Sequence, residues 1–337
     1  MNHRILLTCF GSKIALDFIH DFDKRDDIEL SVGDANPTAP ISYCTARHLP
    51  LLNGADPAFG EDLLQKAQDA GIEMIVPGGD EDALALMVVR EEFERGGITV
   101  AVQNKELLPV FQSKTSQYEH LRSQGVSVPA YERVRTSEEF TNGLQRLGYP
   151  DHPLVLKPNF GRGGNGIFLI FEKIISNKDG LPIVNQQFAR QLFNGKIEYI
   201  LMRYIEGVIY DVDVLRYQDG RHWIGIRKRL GTNVTKLFAG NTFGADEAMV
   251  SFCEQVYRAM PTEYLVDYDV MLGNDGSMEL LEINPRPSGS TISYLPFGIN
   301  LYYILAKSYL DSAHIGIDVQ KLAGRSAHTF YTMIKEP

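Results

Sequence analysis

Short apolar runs alternate with amphipathic segments along the first third of the chain. Apolar runs of strand type occupy residues 4–10, 28–36, 72–82 and 98–102. Apolar positions at helical spacing predict helices after Gly11, over 62–71 and over 82–97. Strands that alternate with helices are typical of βαβ units and a parallel sheet. The pattern therefore predicts a Rossmann-like α/β unit over residues 1–108.

Beyond Lys114 the pattern changes to consecutive strands with few helices between them. Helices are predicted over residues 115–125, near 246–260 and over 299–313. Strand patterns occupy residues 152–171, 197–217, 222–231 and, as a hairpin, 265–284. Strands joined by short turns pair antiparallel. This part of the chain is therefore predicted to be α+β with mostly antiparallel sheets.

Composition and charge restrict the classes of function. The chain has 337 residues, enough for two or three domains, and a formal net charge of −10. That charge argues against a nucleic-acid binder or a protein that binds anionic membranes. Three distant cysteines fit neither a disulfide framework nor a metal-binding spacing, so a reducing, cytoplasmic compartment is expected. No signal peptide is recognised at the start, and no apolar run approaches the ~20 residues of a membrane span.

The N-terminal unit lacks the glycine pattern of a dinucleotide-binding site. After the first strand the sequence reads "CFGSK", without G-x-G-x-x-G. Ligands of open parallel sheets bind at the carboxyl ends of the strands. The segments "CFGS" at 9–12 and "PGGDED" at 77–82 are therefore candidates for one wall of a substrate cleft. The alternative is that both are ordinary turns between a strand and a helix.

A glycine-rich loop follows a predicted strand that ends in a lysine. In "LVLKPNFGRGGNGI", Lys157 closes the strand, and the loop contains Gly161, Gly163, Gly164 and Gly166. Glycines leave backbone N–H groups free to surround an anion, and lysine adds a charge for phosphate oxygens. The ending of a Walker A loop is missing. The loop is predicted to bind phosphate, and the alternative is a plain hairpin turn.

The sequence "VDYDVMLGNDGSMELLEIN" predicts two strands joined by a turn that contains Asp-Gly. With a four-residue loop over 273–276, Asp269 would face Leu280 and lie diagonal to Glu282. Since side chains alternate along a strand, Asp269, Glu282 and Asn284 would share one face. Mg²⁺ prefers carboxylate and amide oxygens of this kind. A slip of one residue in the loop would break this arrangement.

The hairpin pattern also predicts the position of its opposite face and a role for Arg286. The opposite face of the hairpin is apolar and is predicted to face the core, with Val270, Leu272, Leu281 and Ile283. Arg286 follows the predicted metal ligands and could hold phosphate or carboxylate oxygens in a bidentate manner. The alternative for the hairpin is a half-solvated pair of strands with its polar residues in water.

These pieces, in this order, resemble the ATP-grasp superfamily, in particular the branch of carbamoyl-phosphate synthase large subunit and biotin carboxylase. The resemblance covers most of the chain. It rests on the N-terminal α/β unit, a lysine-led helix before "GVSVP", the loop "KPNFGRGGNG", the hinge "YIEG" and the ending "EINPR". It implies a pre-ATP-grasp domain over 1–108, a small lobe with the glycine loop over 109–196, and a C-terminal lobe with the metal site over 197–337.

Carried over position by position, the resemblance implies that ATP and Mg²⁺ (or Mn²⁺) are bound. The positions implied to contact ATP are Lys114 and Lys157 at the phosphates, Gly161–Gly166 as a mobile loop, and Arg203, Tyr204 and Ile205 at the adenine. The implied metal ligands are Asp269, Glu282 and Asn284. Arg286 would stabilise a phosphorylated intermediate, and Arg227 and Arg229 would face the triphosphate or the substrate. The alternative for the last two is a solvated strand face.

The sequence departs from the family in its hinge. Many relatives carry an acidic residue that binds the ribose hydroxyls, at the position of Ile209 here. Asp211 or Asp213 is expected to substitute, or ribose is held differently. Relatives also often have Glu where Met202 or Arg203 stands. The long C-terminal extension of biotin carboxylases and a biotin-carrier segment are missing, so a stand-alone ligase is expected.

The resemblance implies an ATP-dependent ligase that joins a carboxylate to an amine, expected to be an amino acid, through an acyl phosphate. The alternatives are a small-molecule kinase of the same type and a non-catalytic nucleotide-binding regulator. The partners implied are a small carboxylate and an amine, read by "CFGS", "PGGDED" and "PSGSTISY". No nucleic acid or membrane is expected. The oligomeric state stays open between a monomer and a homodimer, since many relatives dimerise through the N-terminal domain.

Overall fold

Three β-sheets form the framework of the molecule. The computed structural model describes residues 2–11, 15–39, 47–161, 166–171, 182–193, 195–231 and 239–329. Within these ranges, the helices are all too short or too polar to cross a membrane.

The first sheet is wholly parallel, with strand order β3-β2-β1-β4-β5. Its strands are β1 (His3–Thr8), β2 (Ile28–Asp34), β3 (His48–Pro50), β4 (Met74–Pro77) and β5 (Thr99–Val100). Its helices are α1 (Ala15–Phe22), α2 (Phe59–Asp69) and α3 (Asp80–Arg95). Ile5, Leu6 and Leu7 of the central strand are completely buried. The predicted alternation of strands and helices is confirmed, and the short β3 is an addition to it.

The second sheet has the order β6-β10-β7-β8-β9 and is antiparallel except between β8 and β9. Its strands are β6 (Tyr131–Val134), β7 (Leu154–Pro158), β8 (Phe168–Ile170), β9 (Ile183–Val184) and β10 (Tyr199–Arg203). The helices of this region are α4 (Leu108–Phe111), α5 (Lys114–Ser123), α6 (Ser137–Arg146) and α7 (Gln186–Gln191). Because β10 belongs to this sheet, we propose that the small lobe extends to Arg203 instead of ending at residue 196.

The third sheet is antiparallel throughout, with strand order β15-β14-β11-β12-β13-β16. Its strands are β11 (Gly207–Arg216), β12 (His222–Arg229), β13 (Gly240–Phe243), β14 (Leu265–Gly273), β15 (Met278–Asn284) and β16 (Ser326–His328). Two helices accompany it, α8 (Glu247–Ala259) and α9 (Leu301–Asp311). The predicted hairpin and both predicted helices are confirmed.

The third sheet has one apolar and one polar face. Val212, Val214, Val266 and Val270 are completely buried in a cluster that also contains residues of α2, α3 and α8. Since side chains alternate along a strand, the odd-numbered residues of β11 and β14 point to the other face. In both strands that face carries aspartates, and it is where the candidate site lies.

Thr136→Ala should lower the stability of the second sheet region by about 1 kcal/mol. The Thr136 side chain accepts from the backbone N–H of Glu139, whose carboxylate accepts from Thr136 N–H in return. Both bonds satisfy groups at the start of α6 that have no partner within the helix. Urea unfolding of this variant should be compared with that of Thr141→Ala, a control in the same helix outside the cap. Equal midpoints for the two variants would contradict the assignment.

Candidate functional site

The hairpin of β14 and β15 carries the predicted metal ligands, but its register differs from the predicted one. Leu272 pairs with Met278, a shift of one residue. Continued regularly, that register would turn Glu282 away from the face of Asp269. A β-bulge follows Asp269 in the pairing and absorbs the shift, so Asp269 pairs directly with Glu282. The predicted diagonal relation is corrected to a direct one.

The bulge also determines which side chains of β15 face the core. Asn284 pairs with Asp267, so the predicted ligands of the hairpin share one face as expected. Leu280 and Ile283 are completely buried on the opposite face. Leu281, predicted to face the main core, packs instead against a small cluster around Tyr118.

Strand β11 adds two carboxylates to this face. Asp211 pairs with Asp269, and Asp213 pairs with Asp267. One carboxyl oxygen from each of Asp211, Asp267 and Asp269 lies within 4.8 Å of the other two. The sequence analysis missed Asp267 and placed Asp211 at a ribose. The signal was available, because "YDVDV" and "VDYDV" each set two aspartates at i and i+2 on one strand face.

Arg227 and Asp213 form a buried ion pair beneath the site. Arg227 is completely buried, and its Nε donates to Asp213 Oδ2 at 2.8 Å. Asp213 is equally buried and also accepts from the Tyr294 hydroxyl at 2.9 Å. Removing one partner of such a pair leaves an uncompensated buried charge. In the structure Asp213 is thus the counter-ion of Arg227, and we propose that Arg227 positions this carboxylate instead of contacting the substrate.

Arg229 reaches the metal hairpin directly. It donates to Asp269 Oδ1 at 2.9 Å and to Asp211 Oδ1, from Nε, at 3.1 Å. One arginine thus bridges a predicted metal ligand and the carboxylate across from it. Of the two arginines predicted on β12, Arg229 contacts a predicted metal ligand, whereas Arg227 lies 3.9 Å from Asp211 and pairs with Asp213.

Arg286 lies between the metal hairpin and the N-terminal unit. Its Nε is 2.9 Å from Asp80 Oδ1, and a terminal nitrogen is 3.4 Å from Asp267 Oδ2. The same terminal nitrogen donates to the carbonyl of Pro287 at 3.1 Å. Asp80 is the first residue of α3 and belongs to "PGGDED". This contact brings Asp80 of "PGGDED" to the candidate site. A role of the segment as a wall of a substrate cleft stays a prediction.

The two candidate cleft segments of the N-terminal unit lie side by side. Gly78 N–H donates to the carbonyl of Thr8 at 2.9 Å, where β1 and β4 end. A Cβ at residue 78 would lie 2.6 Å from that carbonyl oxygen, so only glycine fits. Gly11 N–H donates to Asp34 Oδ2 at 2.7 Å, which holds residues 9–11 of "CFGS" against the end of β2, while Ser12 lies outside the described residues.

Both predicted phosphate lysines lie at the site. Lys114 Nζ is 2.7 Å from Glu282 Oε1 and donates to the carbonyl of Gly161 at 2.8 Å. Lys157 is buried, and its Nζ donates to the Tyr118 hydroxyl at 2.9 Å. Burial lowers the pKa of Lys157, while the charges of nearby carboxylates oppose that fall. Lys114 therefore links the metal hairpin to the start of the glycine loop.

The glycine loop is only partly described. Gly161 has a φ of +123° and Gly166 a φ of +73°, both in the region that favours glycine. Gly163 and Gly164 lie outside the described residues. The two described glycines therefore have the backbone conformation that the loop prediction requires.

The hinge residues lie beside the start of β11. The backbone N–H groups of Arg203 and Tyr204 donate to the carbonyls of Ala130 (3.1 Å) and Pro153 (2.9 Å). Because the N–H of Arg203 is engaged in this way, a backbone contact between Arg203 and adenine would use the carbonyl oxygen of Arg203. Ile205 lies against β14, since a Cβ at residue 273 would be 3.2 Å from Ile205 Cγ2.

Burial and neighbouring charges set the protonation of the acidic face. Burial raises the pKa of Asp267 well above its ordinary value, and the charge of Asp269 adds to the rise. Burial also raises the pKa of Asp269, against the opposing charge of Arg229. For Asp211, burial is outweighed by Arg229 and Arg227, and its pKa is lowered. An added cation would favour the ionised form of all three carboxylates.

The ligands of this face suit Mg²⁺. Asp269 and Glu282 are directly opposite, and Asn284 follows on the same face. One buried oxygen of Asp267 finds no hydrogen-bond donor within the described ranges. Mg²⁺ takes oxygen ligands, usually one or two carboxylates together with substrate phosphates and water. The residues present therefore fit the predicted metal.

In a comparison with known proteins, the C-terminal part of the chain matches an ATP-grasp family. The family described as "ATP-grasp in the biosynthetic pathway with Ter operon" matches residues 196–327. This range runs from β10 to β16 and contains the hinge, both arginines of β12 and the metal hairpin.

Two related sequences belong to known ligases and synthases. The chain is 22% identical to the carbamoyl phosphate synthase arginine-specific large chain of Halalkalibacterium halodurans over 274 residues, which are 78% of this chain and 24% of that protein. It is 25% identical to D-alanine–D-alanine ligase A of Bacillus cereus over 253 residues, 70% of this chain and 76% of that one. The chain thus spans about a quarter of the synthase large chain.

Solved structures share the fold. A carboxyaminoimidazole ribonucleotide synthase of Aspergillus clavatus, complexed with ATP, has a TM-score of 0.70 at 16% identity, covering 96% of this chain and 80% of that one. The biotin carboxylase domain of the Hydrogenobacter thermophilus 2-oxoglutarate carboxylase has a TM-score of 0.66 at 16% identity, covering 96% of this chain and 73% of that one. The predicted ATP-grasp resemblance and fold are confirmed.

Proposed function

We propose that this chain, which contains an ATP-grasp domain, is an ATP-dependent ligase that joins a carboxylate to an amine. The substrate carboxylate attacks the γ-phosphate of ATP and forms an acyl phosphate and ADP. The amine, an amino acid in this proposal, then displaces phosphate and forms an amide. We place the reaction on small molecules in the cytoplasm.

The observation that carries the proposal is the direct pairing of Asp269 with Glu282 within a ring of cations. Lys114 contacts Glu282, and Arg229 contacts Asp269. Arg286 contacts Asp267, which lies two residues before Asp269 on the same face of β14. Phosphoryl transfer depends almost entirely on positioning and on neutralising the charge of the phosphoryl oxygens. Two opposed carboxylates can hold a metal ion, and the cationic side chains around them can bind phosphate oxygens. This arrangement suits phosphoryl transfer.

Within this proposal the two lysines hold the phosphates of the nucleotide. Lys114 is the first residue of α5, which Ser113 caps by accepting from the N–H of Ser116. The cap fixes the start of the helix and therefore the origin of the Lys114 side chain. Lys157 ends a strand in the middle of the second sheet. Both charges thus come from rigid elements, which favours preorganised stabilisation of the transferring phosphoryl group.

Asp269, Glu282 and Asn284 would hold Mg²⁺. When bound, the metal neutralises charge on phosphate oxygens and polarises the transferred group. In the structure, Lys114 and Arg229 supply the positive charge next to Glu282 and Asp269. These two side chains also limit how the carboxylates can turn, so the ligand oxygens stay directed at the site.

Arg286 is assigned to the phosphorylated intermediate. A guanidinium can donate two parallel hydrogen bonds to a phosphate, which fixes geometry as well as charge. Asp80 and Asp267 hold it in place before substrate binds. Asp80, which contacts Arg286, is the first residue of α3 and follows the carboxyl end of β4. We therefore place the acid substrate at the carboxyl ends of β1 and β4, beside "CFGS" and "PGGDED". The N-terminal unit would thereby select the carboxylate.

Lys157→Ala should weaken binding of MgATP by roughly tenfold or more, because a hydrogen bond to a charged group contributes about 1.5–3 kcal/mol. The fold should persist, since the described contacts of the Lys157 ammonium are with Tyr118 alone, a hydrogen bond to its hydroxyl and a cation–π contact with its ring. Calorimetry with Mg²⁺ present measures the affinity, and circular dichroism checks the fold. Lys105→Ala is the control, an exposed lysine paired with Glu91. Unchanged affinity in Lys157→Ala would contradict the phosphate role.

Release of ADP tests the proposed function itself. A panel of small carboxylic acids is incubated with MgATP, alone and with a panel of amino acids, and ADP is measured. We expect one acid to support ADP release that rises when the matching amine is added, with an amide as product. ATP binding without ADP release from any acid and amine pair would favour the non-catalytic regulator.

A further inference from the structure

The polar face of the third sheet is built in successive rows across β11, β14 and β15. The row of the predicted metal ligands contains Asp211, Asp269 and Glu282. Two residues further along the strands, the next row contains Ile209, Met271 and Glu279. The row after that contains Gly207 and Gly273, where Ile205 of the hinge lies against β14. The middle row therefore separates the metal ligands from the hinge.

A nucleotide that spans the metal ligands and the hinge must cross this middle row. In the proposed reaction its phosphates lie at Lys114 and at the metal that Glu282 would hold, and we place its base at the hinge beside Ile205, where the sequence resemblance implies adenine. Two residues along a strand cover about 7 Å, so the hinge row lies about 14 Å from the row of the metal ligands, and the middle row lies halfway between them. In a nucleotide the sugar occupies this middle position, between the base and the phosphates. The ribose is thereby placed over Ile209, Met271 and Glu279.

Of the three side chains in this row, only Glu279 can hydrogen bond. Ile209 and Met271 are each 8% exposed and apolar. Glu279 Oε2 is buried and has no donor within the part of the chain that the structure describes. Burial raises the pKa of Glu279, as does the charge of Asp275, whereas Arg203 of the hinge opposes the rise. A buried acceptor without a donor costs free energy, so such groups are rare and call for a partner.

We propose that Glu279 accepts hydrogen bonds from the ribose hydroxyls and makes the site selective for a ribonucleotide over a deoxyribonucleotide. This inference rests on the proposed function. It assigns to β15 the role that the sequence analysis sought on β11, at Asp211 or Asp213. Both of those carboxylates are occupied by arginines, whereas Glu279 offers an oxygen without a donor at the edge of the same face.

The experiment measures the affinity of ATP, 2′-deoxy-ATP and 3′-deoxy-ATP with Mg²⁺ by calorimetry. The wild-type protein should prefer ATP over at least one analogue by roughly tenfold, as expected for a hydrogen bond to a charged group. In Glu279→Leu, which keeps the bulk but removes the acceptor, this preference should disappear. Glu279→Gln should keep part of it, because the amide oxygen still accepts. Since the carboxylate has an unsatisfied oxygen, neither variant should melt below the wild type.

Glu247→Leu is the matched control, since Glu247 is an exposed acid in the first turn of α8, outside the polar face of the sheet. Its preference for ATP should equal that of the wild type. A preference that survives in both Glu279 variants, or one that is lost in Glu247→Leu as well, would overturn the inference. If the wild type binds ATP and both analogues equally, the inference falls while the proposed function stands. If the wild type binds no ATP, both fall.

Discussion

Replacing Glu282 by glutamine should abolish turnover while ATP still binds. Glutamine keeps the shape of the side chain but removes one of the two opposed carboxylate charges that would hold Mg²⁺. Charge stabilisation by a metal contributes several kcal/mol to a transition state, so ADP formation should fall on the order of 1,000-fold. The substitution also removes the ion pair between Glu282 and Lys114. The rate of ADP formation should be measured over a magnesium titration.

The control for this variant is Glu247→Gln, the same change at an exposed position in the first turn of α8. It should titrate with magnesium as the wild type does. Near-normal ADP formation by Glu282→Gln at saturating magnesium would remove Glu282 from the metal site. A loss of ATP binding as large as the loss of turnover would also contradict its assigned role.

Arg286→Lys should lower kcat by about 100-fold or more, the range found when a donor to a developing charge is removed. The affinity for ATP should change little, because the interaction is made mainly in the transition state. In the structure the Arg286 guanidinium contacts both Asp80 on α3 and Asp267 on β14. Lysine keeps the charge but is a single point, so it cannot hold two oxygens in fixed geometry. Steady-state kinetics and calorimetry separate the two effects.

Arg146→Lys is the matched control, since Arg146 pairs with Glu132 away from the site. Its kcat should equal that of the wild type. If Arg286→Lys instead weakens ATP binding and leaves kcat unchanged, Arg286 holds the nucleotide in the ground state. The assignment to a phosphorylated intermediate would then be wrong.

The local features of the site could be predicted from the sequence because they depend on short-range periodicity. Alternation along "VDYDV" and "LLEIN" places carboxylates and the amide on one strand face. The Asp-Gly turn predicts the hairpin. The register could not be predicted in the same way. A bulge after Asp269 compensates for a one-residue shift at the turn, and both depend on how β15 packs against α5 and the sheet.

Contacts between distant parts of the chain account for the rest. No periodicity relates Arg286 to Asp80, which is brought to it because the first sheet and its helices share a core with the third sheet. The sequence predicts that Arg227 faces the triphosphate, the substrate or solvent and that Asp213 binds ribose, yet both side chains are completely buried. Their burial follows from the loop after β15 and its Tyr294, which cover this end of the sheet. Only the assembled fold shows which charges compensate each other.

Trapping with hydroxylamine tests most directly that the reaction passes through an acyl phosphate. The acid that supports ADP release is incubated with the wild-type protein, MgATP and hydroxylamine, with no amine present. Hydroxylamine attacks an activated acyl group and gives a stable hydroxamate. We predict a hydroxamate of that acid in amounts equal to the ADP formed, and none with Glu282→Gln. ADP formation with no hydroxamate, together with accumulation of the phosphorylated acid as a stable product, would contradict the ligase and identify a kinase.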